Sequence, residues 1–274
     1  MSTTPHVSHA SIVVRSAIYN VAFYVAILLL MLFFLPVLLM PYRATLWLAR
    51  LWGRVSLWLL AVICKTKVEF RGLENIPQGP ALIASKHQSF LETFSLLQHI
   101  PDFSYVLKRE LTWIPFFGWL LLTAKQIGID RGRGRNAMGQ LLAQAEDFFA
   151  LGRSLILFPE GTRRPVGAMP AYKSGVSYVY SAGHAPCLPV ALNTGLFWPR
   201  RSFLRYPGRC VIEFLPPIAT GLPREDFMRL LQNQIEDHTD ALVAEAQRES
   251  PWLSADRERA DESRHAAPGG AREA

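Results

Sequence analysis

Between Arg15 and Arg43 the chain carries no charged residue, and the run VAFYVAILLLMLFFLPVLLM from Val21 to Met40 is long enough to cross a bilayer as one helix. Any fold of this chain must set that surface against lipid or inside a core. It reads first as a membrane helix, because the run is long and no small-x-small cleavage site follows it, as a signal peptide would require. Pro36 lacks an N–H and would kink the helix, so a re-entrant or shallow helix is the alternative. From Ala44 to Cys64, Trp47, Trp52 and Trp58 stand among leucines with Arg50 and Arg54 interleaved, the pattern of a helix at headgroup level or of a second core helix. Arg43, Arg50, Arg54, Lys65 and Lys67 follow the first helix, against Arg15 before it. The positive-inside rule then puts the remainder on the cytoplasmic side.

A length of 274 residues with 50% hydrophobic content and mean hydropathy +0.14 allows one sizeable core plus an anchor. The net charge of +7 flanks apolar segments and carries no nucleic-acid recognition motif, so it suits an anionic bilayer and anionic substrates. Cys64, Cys187 and Cys210 lie far apart in apolar runs, reading as buried reduced thiols rather than metal ligands. Metalloprotease, serine-elbow and P-loop motifs are missing from the sequence, which narrows the field without closing it.

From Thr66 onward short apolar runs alternate with helical patterns. Val68 to Phe70, Ala81 to Ala84, Ser104 to Leu107, Gln126 to Ile129, Leu155 to Phe158, Leu188 to Leu192 and Val211 to Phe214 are the strand candidates. Asn136 to Leu151 shows i, i+3, i+4, i+7 spacing ended by Gly152, and Arg224 to Arg248 reads as a closing amphipathic helix. The expected fold is α/β, a largely parallel sheet flanked by helices, with N-terminal membrane-anchoring helices. The expected division is a short tail at 1–15, anchoring helices at 16–65, the α/β domain at 66–250 and a disordered tail at 251–274.

Two polar motifs follow strand candidates, KHQSFLE at Lys86 to Glu92 and FPEGTR at Phe158 to Arg163, and strand ends are where open α/β sheets collect their sites. On one helix His87 and Glu92 would diverge by about 140°, so they meet only if His87 precedes a helix starting near Ser89. The carboxylate can then orient the imidazole as a general base. Ser89 and Glu92 equally match a helix capping box, with no catalytic role. In the loop Phe158 to Lys173, Arg163 with Arg164 and Lys173 can clamp a phosphate, or the loop is simply solvated surface. GIDRGRGR around Asp130 and Arg131 is a second basic, Gly-rich turn after a strand.

In this order the motifs resemble the lysophospholipid acyltransferase family, whose blocks are HX4D, a GxxFIDR-like block, FPEGTR and a VPV-like block. His87 to Glu92, Gly128 to Arg131, Phe158 to Arg163 and Leu188 to Val190 correspond, within a resemblance covering Thr66 to Phe214. It implies that His87 activates the 2-hydroxyl of lysophosphatidic acid (1-acyl-glycerol-3-phosphate) for attack on an acyl thioester, from acyl-CoA or acyl-carrier protein, giving phosphatidic acid with no metal or cofactor expected, since a thiolate leaves readily. It also implies that Arg131, Glu160, Gly161, Thr162, Arg163 and Lys173 bind the acceptor and that Pro189 supports the acyl-chain pocket. The setting implied is the inner membrane of a bacterial-type cell, among membrane phospholipids. Glu92 stands where the family usually has Asp, although KHQSFLET is similar to a bacterial branch with Glu there. The rival readings are acylation of another lysolipid such as a lyso-ornithine lipid, an inactive lipid-binding scaffold, and an esterase, which the missing serine elbow disfavours.

Overall fold

A computed structural model describes residues 8–33, 35–130, 132, 134–183 and 185–253. The chain opens with a helical hairpin, α1 (His9–Phe33) and α2 (Tyr42–Leu59), joined through a 3-10 turn at Leu35–Leu39 and continued by a π turn at Leu60–Cys64. Pro36 therefore lies in the turn between two helices rather than kinking one long helix. The helix also starts earlier than expected. Nothing between His9 and Arg15 breaks it, Ser8 Oγ accepts the Ser11 N–H at 3.2 Å, and Ile12 is buried, so residues 9–15 are helix rather than tail.

Seven strands follow, each overlapping an apolar run identified above: β1 (Thr66–Arg71), β2 (Leu82–Ser85), β3 (Phe103–Lys108), β4 (Ile127–Ile129), β5 (Ser154–Leu157), β6 (Cys187–Leu192) and β7 (Gly208–Phe214). They form one sheet in the order β1-β7-β6-β2-β5-β3-β4, parallel at every pairing except β6 with β7. The helices between them are α3 (Leu91–Ser95), α4 (Phe117–Thr123), α5 (Gly134–Ala150), α6 (Gly175–Gly183) and α7 (Thr194–Phe197), and α8 (Arg224–Glu249) follows the last strand.

Strand alternation divides the core into two layers. Leu82, Ala84, Leu155 and Leu157 face α5, α6 and α8, whose Leu141, Val179, Phe227 and Leu231 complete that layer. Ile83, Ile156, Leu188 and Val190 face the other way, onto α3 and onto Tyr19, Phe23, Leu46 and Leu60 of the hairpin. The hairpin thus covers one face of the sheet as well as offering apolar surface outward. Gly53 lets α2 approach closely, since a Cβ there would sit 2.8 Å from the Phe94 carbonyl oxygen. Arg50 donates to the carbonyls of Leu97 (3.0 Å) and Ile100 (2.7 Å), and Tyr42 donates to Asp102 at 2.7 Å.

Among the described residues two helices are long and apolar enough to cross a membrane, His9–Leu32 and Tyr42–Cys64. Both also carry exposed apolar faces, including Val21, Leu28, Trp47 and Trp58. At the other end of the chain, Leu253 is buried against the core, so the last segment packs at least that far. Residues 254–274, the rest of the expected disordered tail, lie outside the described residues.

Candidate active site

The sheet itself brings the two motifs together. β2 and β5 are parallel neighbours with Ala84 opposite Leu157, so the chain leaves both at the same edge. β6, parallel to β2, delivers Asn193 and Thr194 to that edge, and β3 and β4 deliver Lys108 and Asp130.

His87 leaves β2 before α3 begins, as the spacing required, and its Nδ1 lies 2.9 Å from Glu92 Oε1. Glu92 is fully buried. Its Oε1 also accepts the backbone N–H groups of Gln88 (2.9 Å) and Ser89 (2.7 Å), while Oε2 accepts the Thr194 hydroxyl at 2.8 Å. The capping and dyad readings, alternatives in the sequence, therefore coexist on one carboxylate. The capping box is only half built, because Ser89 Oγ accepts the Leu91 N–H at 3.1 Å. The imidazole stacks on Phe158, with centroids 3.8 Å apart and planes 15° apart, and Tyr105 stacks on Phe158 in turn. With Nδ1 on the carboxylate, Nε2 is the nitrogen left to meet a ligand.

His87 lines a cleft of about 820 Å³, within the ~300–1,000 Å³ typical of ligand pockets. Most of its wall is apolar, contributed by Ile27 and Met31 of α1, Leu46 and Trp52 of α2, Leu120 and Leu121 of α4, and Leu141 of α5. Its polar lining includes Gly161, Thr162, Arg163 and Lys173. A histidine, three cations (Lys108, Arg163 and Lys173) and a long apolar wall thus share one space, which suits a substrate with an anionic head and an acyl chain.

Three expectations for site residues change. Glu160 is buried, with Oε2 accepting the His87 backbone N–H at 2.9 Å and Oε1 3.0 Å from Lys86 Nζ. Its carboxylate is engaged inside the fold, so it positions His87 rather than touching an acceptor. Burial pushes its pKa up, opposed by the attraction of Lys86. Pro189 lies buried within β6 opposite Ala84 and does not line the cleft. Its carbonyl accepts the Leu215 N–H at 2.9 Å, so its missing N–H points past the end of β7, where the ladder stops. Arg164 turns away from the cleft onto the Met169 carbonyl at 2.9 Å. Arg131 lies outside the described residues.

Sequence reasoning missed the partners behind these groups. Lys86 is buried between Glu160 and Glu236 of α8, at 2.7 and 2.8 Å from the Glu236 oxygens, and Tyr172 donates to Glu236 at 2.8 Å. Asn193 bridges β7 and α8, its Oδ1 accepting the Val211 N–H at 2.7 Å and its Nδ2 donating to the Leu242 carbonyl at 3.1 Å. Thr194 sits beside it.

Residues 67–193 match the family model described as Acyltransferase. The chain belongs to this acyltransferase family. It is 42% identical over 186 residues to the 1-acyl-sn-glycerol-3-phosphate acyltransferase of Pseudomonas aeruginosa, an alignment covering 67% of this chain and 71% of that protein. It is 31% identical over 165 residues to the 1-acyl-sn-glycerol-3-phosphate acyltransferase alpha of Mus musculus, spanning 58% of that relative's length. The same fold is seen in the crystal structure of the 1-acyl-sn-glycerophosphate (LPA) acyltransferase PlsC from Thermotoga maritima, with a TM-score of 0.71 at 20% identity over 84% of this chain and 97% of that one.

Proposed function

We propose that this chain transfers a fatty acyl group from an acyl thioester to the 2-hydroxyl of 1-acyl-glycerol-3-phosphate at a membrane surface, giving phosphatidic acid. The observation that carries the reading is the His87–Glu92 pair opening onto a cleft with Arg163 and Lys173 in its polar lining and an apolar wall. The names of the relatives support the acceptor.

In this scheme His87 Nε2 takes the proton of the acceptor hydroxyl as its oxygen attacks the thioester carbonyl, and Glu92 stabilises the imidazolium. The tetrahedral intermediate collapses with cleavage of the C–S bond, and the thiolate leaves, taking the proton back from His87. A thiol of pKa about 8.5 is a good leaving group, so the thioester supplies the activation and no cofactor enters. Arg163 and Lys173 hold the phosphate, and the apolar wall holds acyl chain. The catalytic domain faces the cytoplasm, where carrier-bound acyl thioesters are made, and the hairpin lies along the bilayer with one face on the protein.

The test is acyl transfer from labelled acyl-CoA and acyl-carrier protein to a panel of lysolipids by detergent-solubilised protein. Transfer to lysophosphatidate, reduced about 10²–10⁴-fold by His87→Ala without loss of folding, is expected. Equal transfer to a lysolipid without phosphate would sink the acceptor assignment.

A further inference from the structure

The segment between β3 and β4 gives its inner side to the cleft, and its outer side is a strongly apolar exposed surface outside the hairpin. Trp113 is 65% and Leu122 58% exposed, and Ile114, Phe116 and Trp119 are exposed beside them. A soluble surface rarely keeps so many large apolar side chains on so short a segment. The fold holds them outward at a cost in backbone strain. Phe116 adopts φ +62°, a region that bulky residues avoid, and its ring packs against Trp119 at 4.9 Å. Gly118 makes the turn possible, since a Cβ there would meet the Thr112 carbonyl oxygen at 2.1 Å.

Position gives this surface a meaning. The inner side of the same segment, Leu111, Phe117, Leu120 and Leu121, lines the cleft together with Ile27 and Met31 of α1. α4 also touches α2 and the Leu35–Leu39 turn, where Leu39 and Met40 are exposed. The two apolar lips of the cleft are therefore continuous. Four exposed cations skirt them: Arg43 and Lys125, the latter 5.0 Å over the Tyr42 ring, and Lys108 and Arg109, the latter 5.8 Å over Trp113, these last two also within 3.6 Å of Glu110 and 3.5 Å of Asp130 respectively. Aromatic side chains backed by a cationic collar match the headgroup zone of an anionic leaflet.

We propose that Trp113 to Leu122 is a second membrane-inserting element, which dips into an anionic phospholipid leaflet beside the hairpin so that the cleft opens sideways into the lipid. This rests on the reading of the chain as a membrane-surface enzyme and adds how its acceptor enters. Lysolipid then slides from the leaflet between α1 and α4, without passing through water.

The test uses full-length protein carrying one fluorescent label at a time, through Trp119→Cys, Trp47→Cys on the hairpin, or Glu225→Cys on α8 across the sheet. The native cysteines are buried and stay unlabelled. With vesicles of phosphatidylethanolamine and phosphatidylglycerol, the label at 119 is expected to shift to the blue and to be quenched by chain-brominated lipid, as at 47, while that at 225 stays in water. A label at 119 open to iodide while that at 47 is quenched by lipid overturns the proposal and leaves the membrane reading standing. If neither label senses lipid, both fall. Protection at 119 that grows with protein concentration in detergent alone would mean that a second copy covers this face, which also overturns it. Kinetics give an independent arm: Trp113→Ser with Trp119→Ser should raise KM for vesicle-borne lysophosphatidate about tenfold and leave turnover in micelles unchanged. Equal loss in both media counts against the proposal.

Discussion

The helix after β2 and the loop after β5 each give His87 one buried carboxylate, and the two are held in opposite ways. Glu92 receives the imidazole, two backbone N–H groups and a hydroxyl, with no cation on it among the described residues. Glu160 receives the His87 backbone N–H and shares Lys86 with Glu236. Neutral donors leave the charge of Glu92 free to favour an imidazolium, whereas a lysine at Glu92 would oppose it. The loop carboxylate has the other task, fixing where the histidine's backbone stands.

The largest effect should come from breaking the second arrangement. Lys86→Met leaves the buried Glu160 and the half-buried Glu236 without their cation, and breaking such a pair typically costs about 3–5 kcal/mol. Urea denaturation should show that loss, and Lys86→Met with Glu160→Gln and Glu236→Gln should recover much of it. If Lys86→Met alone is as stable as wild type, the carboxylates are not held as described.

The Glu92 side separates charge from capping. Glu92→Gln keeps an oxygen for the Gln88 and Ser89 N–H groups, so we expect stability within about 1 kcal/mol of wild type and kcat lower by about 10²-fold. Glu92→Ala leaves two buried N–H groups unpaired and should cost a further ~1–3 kcal/mol. Similar melting of the two variants would show that the cap contributes nothing.

Thr194 sharpens the same point more gently. Its hydroxyl is the donor to Glu92 Oε2, so Thr194→Val should lower kcat about tenfold with KM for both substrates unchanged, and Thr194→Ser should restore it. A fall in stability with unchanged kcat would make Thr194 a core residue only.

What could be read in the sequence follows from range. The strands were legible because each is a short apolar run bounded by turns, and the His87–Glu92 pair because its geometry depends on five consecutive steps of chain. Thr194 lies 102 positions from Glu92 and Glu236 lies 150 from Lys86, so only the order of strands in the sheet brings them together. Glu160 was assigned to an acceptor because nothing local shows which way a loop carboxylate turns. The hairpin looked like an independent anchor because its buried face, Tyr19, Phe23 and Leu46, is as apolar as its exposed one.

A third carboxylate tests whether burial, rather than pairing with a cation, sets Glu160 apart. Glu245 on α8 pairs with Arg71 of β1 and Arg209 of β7 near the surface, and its pKa is lowered from 4.5 to about 2, chiefly by the hydrogen bonds from Arg71. Glu160 also meets a cation, yet burial raises its pKa. The two should therefore bend the stability curve in opposite directions. Between pH 4.5 and about 2 the unfolded chain binds the proton at Glu245 first, so its contribution is complete above 4.5 and is lost as pH falls through 2. Glu160 binds its proton more tightly when folded, so its contribution weakens as pH rises from 4.5. Glu245→Gln should flatten the acid limb by less than ~1 kcal/mol, and by less still in high salt, because water screens the pair. Glu160→Gln should instead flatten the limb above 4.5. Denaturation at stepped pH resolves the two, and an acid limb unchanged in Glu245→Gln would mean that the arginines pair with Glu69 and Glu249 just as well without it.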